Sequence, residues 1–178
     1  MAKGSFDICL KEVLKHEGGW SNHSKDPGGR TNLGVTQRTY EDWVGHKVTE
    51  KIMRSLTVDH VKALYKVKYW DMVKGDELPL GLDLCVFDFG VNAGVNRAAR
   101  YLQRMVGAKE DGQIGPRTMS LLEQYIKAEG RDRAVMQYQD ARNDYYKLLK
   151  TFPTFGKGWL RRVREVEVAA LAMLRPKT

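Results

Sequence analysis

The chain has 178 residues, a length that suits one domain, and its 42% of apolar residues is enough for a packed core. A charged fraction of 29% with a mean hydropathy of −0.50 reads as a soluble protein. The first dozen residues, with Lys3, Asp7, Lys11 and Glu12, exclude an apolar run of signal-peptide or membrane-spanning length. A net charge of +8 calls for a polyanionic partner: nucleic acid, an anionic membrane or a cell wall that carries acidic polymer.

In chain order, Phe6, Leu10, Val13 and Leu14 recur at helical spacing and predict a first helix over residues 5–16, stopped by Gly18-Gly19. Residues 17–35 carry turn signals at Asp26-Pro27-Gly28-Gly29 and Asn32-Leu33-Gly34, and the region around 24–36 is the one place where a small β-hairpin is expected. Thr36, Thr49 and Thr57 are candidate helix N-caps, the last leading a helix with Val61, Leu64, Tyr65 and Tyr69 that reaches Trp70. Pro79 is expected to open a helix that is apolar on nearly all sides, interrupted by Asp83, Asp88 and Asn92, and therefore central and buried. Helices follow over 94–107, from Pro116, over 131–150 and over 156–174. The last one is basic and amphipathic, with Lys157, Arg161, Arg162 and Arg164 beside Leu160, Val163 and Val166; packing on the domain is favoured over a membrane surface. The fold class is mainly α with a small β element, read as one compact unit over 1–178 with a part at 1–94 and a helical part at 95–178.

Two acids stand out. Glu17 follows an apolar helix beside His16 and Trp20, where partial burial would keep it protonated near neutral pH. Asp26 lies in a polar turn and is expected to be ionised, with Thr31 close enough in sequence to help hold a water. A proton donor on one side of a sugar and a water-orienting group on the other is what glycoside hydrolysis requires. Trp20, Tyr69 and Trp70 can stack on pyranose rings or serve as core and rim aromatics. Asn92 and Asp88, on their buried helix, need partners: the loop that holds Glu17, N-acetyl groups of a sugar, or the buried backbone nearby. Asn32 binds sugar or caps the turn. Cys9 and Cys85 read as buried free thiols, and His16, His23, His46 and His60 share no ligand spacing, so neither metal nor cofactor is expected.

Three stretches carry a family resemblance: Glu17-Gly18-Gly19-Trp20 with Asp26-Pro27-Gly28-Gly29-Arg30-Thr31-Asn32; Tyr69-Trp70-Asp71; and Leu82 through Gly94. They resemble the glycosyl hydrolase 108 muramidases, lysozyme-like endolysins of phages and related bacterial proteins. Leu102 to Gly107 and Asp111 to Thr118 resemble the family's predicted peptidoglycan-binding region, although a turn followed by a helix start explains the same residues. The resemblance implies a lysozyme-like α fold and cleavage of the β-1,4 bond between N-acetylmuramic acid and N-acetylglucosamine. It places the catalytic glutamate on Glu17 and, through the wider phage lysozyme pattern, an aspartate and a threonine on Asp26 and Thr31.

The expected function is therefore an endolysin muramidase, inverting, with Glu17 as general acid. The alternative is a non-catalytic peptidoglycan-binding or secretion-assisting protein of the same fold. The expected partners are peptidoglycan and an anionic outer-membrane surface. No nucleic acid is expected, because no helix-turn-helix or basic-aromatic alternation accompanies the charge. The chain is expected to be a monomer, made in the cytoplasm and released to the cell wall through a separate membrane pore.

Overall fold

The computed structural model describes residues 4–22 and 29–175. Helix α1, Phe6–His16, buries Phe6, Cys9, Leu10 and Val13, a stripe at i, i+3, i+4 and i+7. It ends where Glu17 turns to extended backbone (φ −79°, ψ 130°), with the Glu17 N–H still donating to Val13 O. The chain then forms a three-stranded antiparallel sheet in the order β1 (Ser21–Asn22), β2 (Arg30–Asn32), β3 (Val35–Thr36). Ser21 lies opposite Thr31, and Asn32 opposite Val35. Leu33 and Gly34, at φ 50° and 73°, close β2 onto β3 as a two-residue turn with both central residues left-handed, the type that matches strand twist. The expected hairpin region is thus a small sheet, and its stretch 23–28, including Asp26, lies outside the described residues.

The threonine caps lead α2 (Gln37–Val44), α3 (Glu50–Arg54) and α4 (Val58–Tyr65). Thr36 and Thr49 accept from the N–H groups of Thr39 and Ile52, while the His60 ring accepts from the Thr57 N–H at 2.9 Å. Helix α4 widens into a π-turn over Lys66–Trp70. This turn sends Trp70 inward, where it is completely buried against Phe6 and Phe87 with ring centroids 5.3 and 5.2 Å away.

The buried helix α5 is Leu82–Ala93, and every residue from Leu82 to Gly90 is buried. It begins three residues after Pro79, later than expected, because Gly81 takes φ 85°. A Cβ at Gly81 would stand 2.9 Å from Ala170 O, so glycine both breaks the turn and admits the last helix to close range. Helices α6 (Val95–Val106), α7 (Pro116–Glu129), α8 (Arg131–Lys147) and α9 (Phe152–Met173) follow. Helix α9 starts four residues before the expected 156, with Pro153 accommodated in its first turn. Helices α1, α6, α8 and α9 all pack on α5, and α8 packs along α9. Val163, Val166 and Ala170 carry the buried stripe of α9, so its apolar face is spent on the domain. Cys9 and Cys85 are buried free thiols. Among the described residues no helix is long and apolar enough to cross a membrane.

Candidate active site

Glu17 leaves α1 with its side chain one-fifth exposed. Its Oε1 lies 2.9 Å from Arg162 Nη2 of α9. The same Arg162 nitrogen is 2.8 Å from Asp88 Oδ1, and Arg162 Nε donates to Asp88 Oδ2 at 3.1 Å. Asp88, completely buried on α5, also pairs at 2.8 Å with Arg142 Nη1 of α8, itself completely buried. Arg142 Nε and Nη2 both donate to Tyr146 Oη at 3.2 Å, and the Tyr146 hydroxyl donates to Asn92 Oδ1.

Helical spacing builds this chain of contacts. Asp88 and Asn92 lie four apart on α5, as do Arg142 and Tyr146 on α8, so each pair shares a face. Two guanidiniums thus face the carboxylates of Asp88 and Glu17. Burial alone pushes the Asp88 carboxyl up, but Arg142 and Arg162 outweigh it and hold the group below the usual carboxylate range. Burial works against the charge on Arg162, and Asp88 and Glu17 more than offset that.

On its other side Glu17 meets the β2–β3 turn. A Cβ at Gly34 would sit 2.8 Å from Glu17 Oε2 and 2.5 Å from Tyr65 Oη. The Tyr65 hydroxyl donates to Leu33 O at 2.8 Å and so pins that turn. Burial, and then the charge of Glu17, push the phenols of Tyr65 and Tyr69 up, so both remain neutral beside the acid. Gly34→Ala is expected to displace Glu17 and to lower any activity that depends on its position about 100-fold, the scale of a 1 Å misplacement. It should also cost about 1–3 kcal/mol for a left-handed alanine. Steady-state rates and urea melts of the variant check both, and wild-type rates would show that the turn does not set the acid.

The expected site residues divide. Glu17 and Tyr69 are together, and Asn92 joins them through Tyr146, Arg142, Asp88 and Arg162. Thr31 occupies the middle of β2, where, among the described residues, its hydroxyl has only a long 3.4 Å contact to Gly29 O. Trp20 is half-buried, with the Arg54 guanidinium 4.4 Å from its ring centre on one face. Two ligand expectations give way to structural roles. Trp70 has no exposed face for a sugar, and its indole N–H donates to Asp76 at 3.1 Å. Asn32 is buried, and its amide ties β2 to the end of α3 through Met53 O at 2.9 Å and Arg54 O at 3.3 Å.

The second motif region is organised around Gln103. Its buried amide donates to Asp111 Oδ1, Gln113 O and Thr118 Oγ1, and its Oε1 accepts from the Gly112 N–H. Asp111 to Thr118 is therefore a loop folded on one side chain, and the residues that carry the motif are largely occupied by that loop.

Residues 10–94 match the family model described as glycosyl hydrolase 108. A solved structure, that of Brucella abortus SagA, matches at 41% identity over 99% of each chain with a TM-score of 0.84. The chain belongs to the glycosyl hydrolase 108 family. Residues 97–164 of this glycosyl hydrolase 108 protein match a second model, described as a predicted peptidoglycan domain. No curated protein matches. The fold is lysozyme-like, and the protein is a glycoside hydrolase that acts on peptidoglycan.

Sequence reasoning missed Arg162, Arg142, Tyr65 and Tyr146. A signal was present: a buried aspartate in an apolar helix demands a cation. Arg142 stands four residues from both Tyr138 and Tyr146, on the inward stripe of α8. Arg162 stands four before the buried Val166, which sets it on the inward side of α9.

Proposed function

We propose that the protein is a muramidase that cleaves the β-1,4 bond between N-acetylmuramic acid and N-acetylglucosamine, with Glu17 as proton donor. The observation that carries this reading is the placement of Glu17: a one-fifth exposed carboxyl gripped from one side by Arg162 and from the other by the Gly34 turn. Arg162 engages Oε1, which leaves Oε2 as the oxygen assigned to the leaving sugar oxygen. Arg162 is itself shared with Asp88, which takes it through two nitrogens, so Glu17 does not face an undivided cation.

The second half of the reaction is assigned to a water held by Thr31 and Asp26 on the opposite face of the sugar, which makes the hydrolysis inverting. The spare hydrogen-bonding capacity of Thr31 supports its role, and family resemblance supports Asp26. Proton NMR of freshly released reducing ends should show the α-anomer first; the β-anomer first would mean retention. The basic surface, at +8 overall, holds the enzyme near its anionic substrate.

Clearing of purified sacculi by the protein tests the reading. The expected result is a fall in turbidity with soluble sugar released. Protein that sediments with sacculi without releasing sugar would establish the binding-only alternative instead.

A further inference from the structure

A groove of about 570 Å³ shares Arg162 with the Glu17 ion pair. One wall is Lys15 and His16, the two residues before Glu17; the other is α9 from Gly158 to Glu165. Asn92 also lines it. Its polar inventory is mostly donors. The Oδ1 of Asn92 is taken by the Tyr146 hydroxyl, which leaves the amide N–H groups for the groove. Arg161 is exposed and, among the described residues, has no ion pair. Lys15 shares its charge with Glu12, which is not part of the lining. The one carboxylate present, Glu165, faces His16 Nδ1 at 3.7 Å. Trp159, stacked on Tyr146 with centroids 5.1 Å apart, adds a flat apolar wall.

A groove with this balance takes a chain that carries carboxylates and small apolar groups. It lies one side chain away from the acid, so its occupant must be attached beside the bond that is cut. The glycan backbone of peptidoglycan offers hydroxyls and N-acetyl groups; its carboxylates belong to the stem peptide on the lactyl group of muramic acid. We propose that this groove is a subsite for the acidic stem peptide, with Arg161, Lys15 and the Asn92 amide as its donors. The assignment rests on the reading of Glu17 as the acid that cuts the adjacent sugar bond. It makes the enzyme selective for glycan that still carries peptide.

The test compares glycan strands bearing stem peptides with strands stripped by an amidase, whose freed lactyl carboxylates are then capped as methylamides so that no anion remains. Wild type should cleave the peptide-bearing strands about tenfold faster, the scale of one charge-assisted hydrogen bond. In Arg161→Glu and Lys15→Glu that ratio should fall toward one, while Lys127→Glu, a matched charge change at an exposed position of α7, should keep it. A second arm titrates N-acetylmuramyl tetrapeptide into the protein by calorimetry, with Arg161→Glu binding at least tenfold more weakly. Equal cleavage of both strands by wild type, or an Arg161→Glu protein with the wild-type ratio and affinity, would overturn the proposal. If neither strand is cleaved, the reading of Glu17 falls, and the titration alone decides the groove.

Discussion

Glu17→Gln is expected to slow peptidoglycan hydrolysis by about 1000-fold, within the span general acid catalysis supplies. Glutamine keeps the shape of the side chain and an oxygen for Arg162, but it has no acidic proton to give the leaving sugar. Arg162 keeps its hold on Asp88 in this variant, so the helices remain tied. Stability should change by no more than about 1 kcal/mol, the usual reach of a partly exposed ion pair. Turbidity loss of sacculi and a urea melt read the two quantities separately. A variant with more than a tenth of wild-type activity would remove Glu17 from the donor role. A variant that fails to fold would show that the Glu17–Arg162 contact is chiefly structural.

Asp88→Asn should produce the largest loss of stability. Asp88 and Arg142 are both completely buried, and the carboxylate is the charge that compensates Arg142. Removing it leaves a buried guanidinium with only neutral partners, which costs about 3–5 kcal/mol. It also frees Arg162, so hydrolysis should fall even in the fraction that stays folded. Measured urea midpoints at constant slope check the stability change, and a loss under 1 kcal/mol would mean that Arg142 finds other compensation. The sign of the pH dependence follows. The folded Asp88 carboxyl is held below its unfolded value, so its stabilisation is complete above the unfolded value. It is lost as the pH falls through the folded one. Acid destabilisation of wild type should therefore be blunted in Asp88→Asn.

The apolar periodicities of α1, α4, α5 and α9 made their existence readable in the chain, because burial stripes and threonine caps are local signals. The starts of α5 and α9 were less readable. Gly81 shifts one through a close approach of α9, a tertiary contact, and the other follows from a proline that its first turn tolerates. Glu17 stood out because glycines crowd around it. Its partner Arg162 lies 145 positions later in a helix that reads only as basic and amphipathic. Only the folding of α9 onto α5 reveals that this one arginine turns inward to Asp88. Trp70 misled for the opposite reason: beside Tyr69 it reads as a ring-stacking pair, and the π-turn separates them, one half-exposed near Glu17 and one in the core.

The most direct test of the central claim is the identity of the sugar at the new reducing end. Purified sacculi are digested with wild type, reduced with borohydride, hydrolysed and separated by mass. Cleavage as proposed yields muramitol, and the same digestion with Glu17→Gln yields essentially none. Glucosaminitol, or release of peptide without any new reducing sugar, would contradict the assignment.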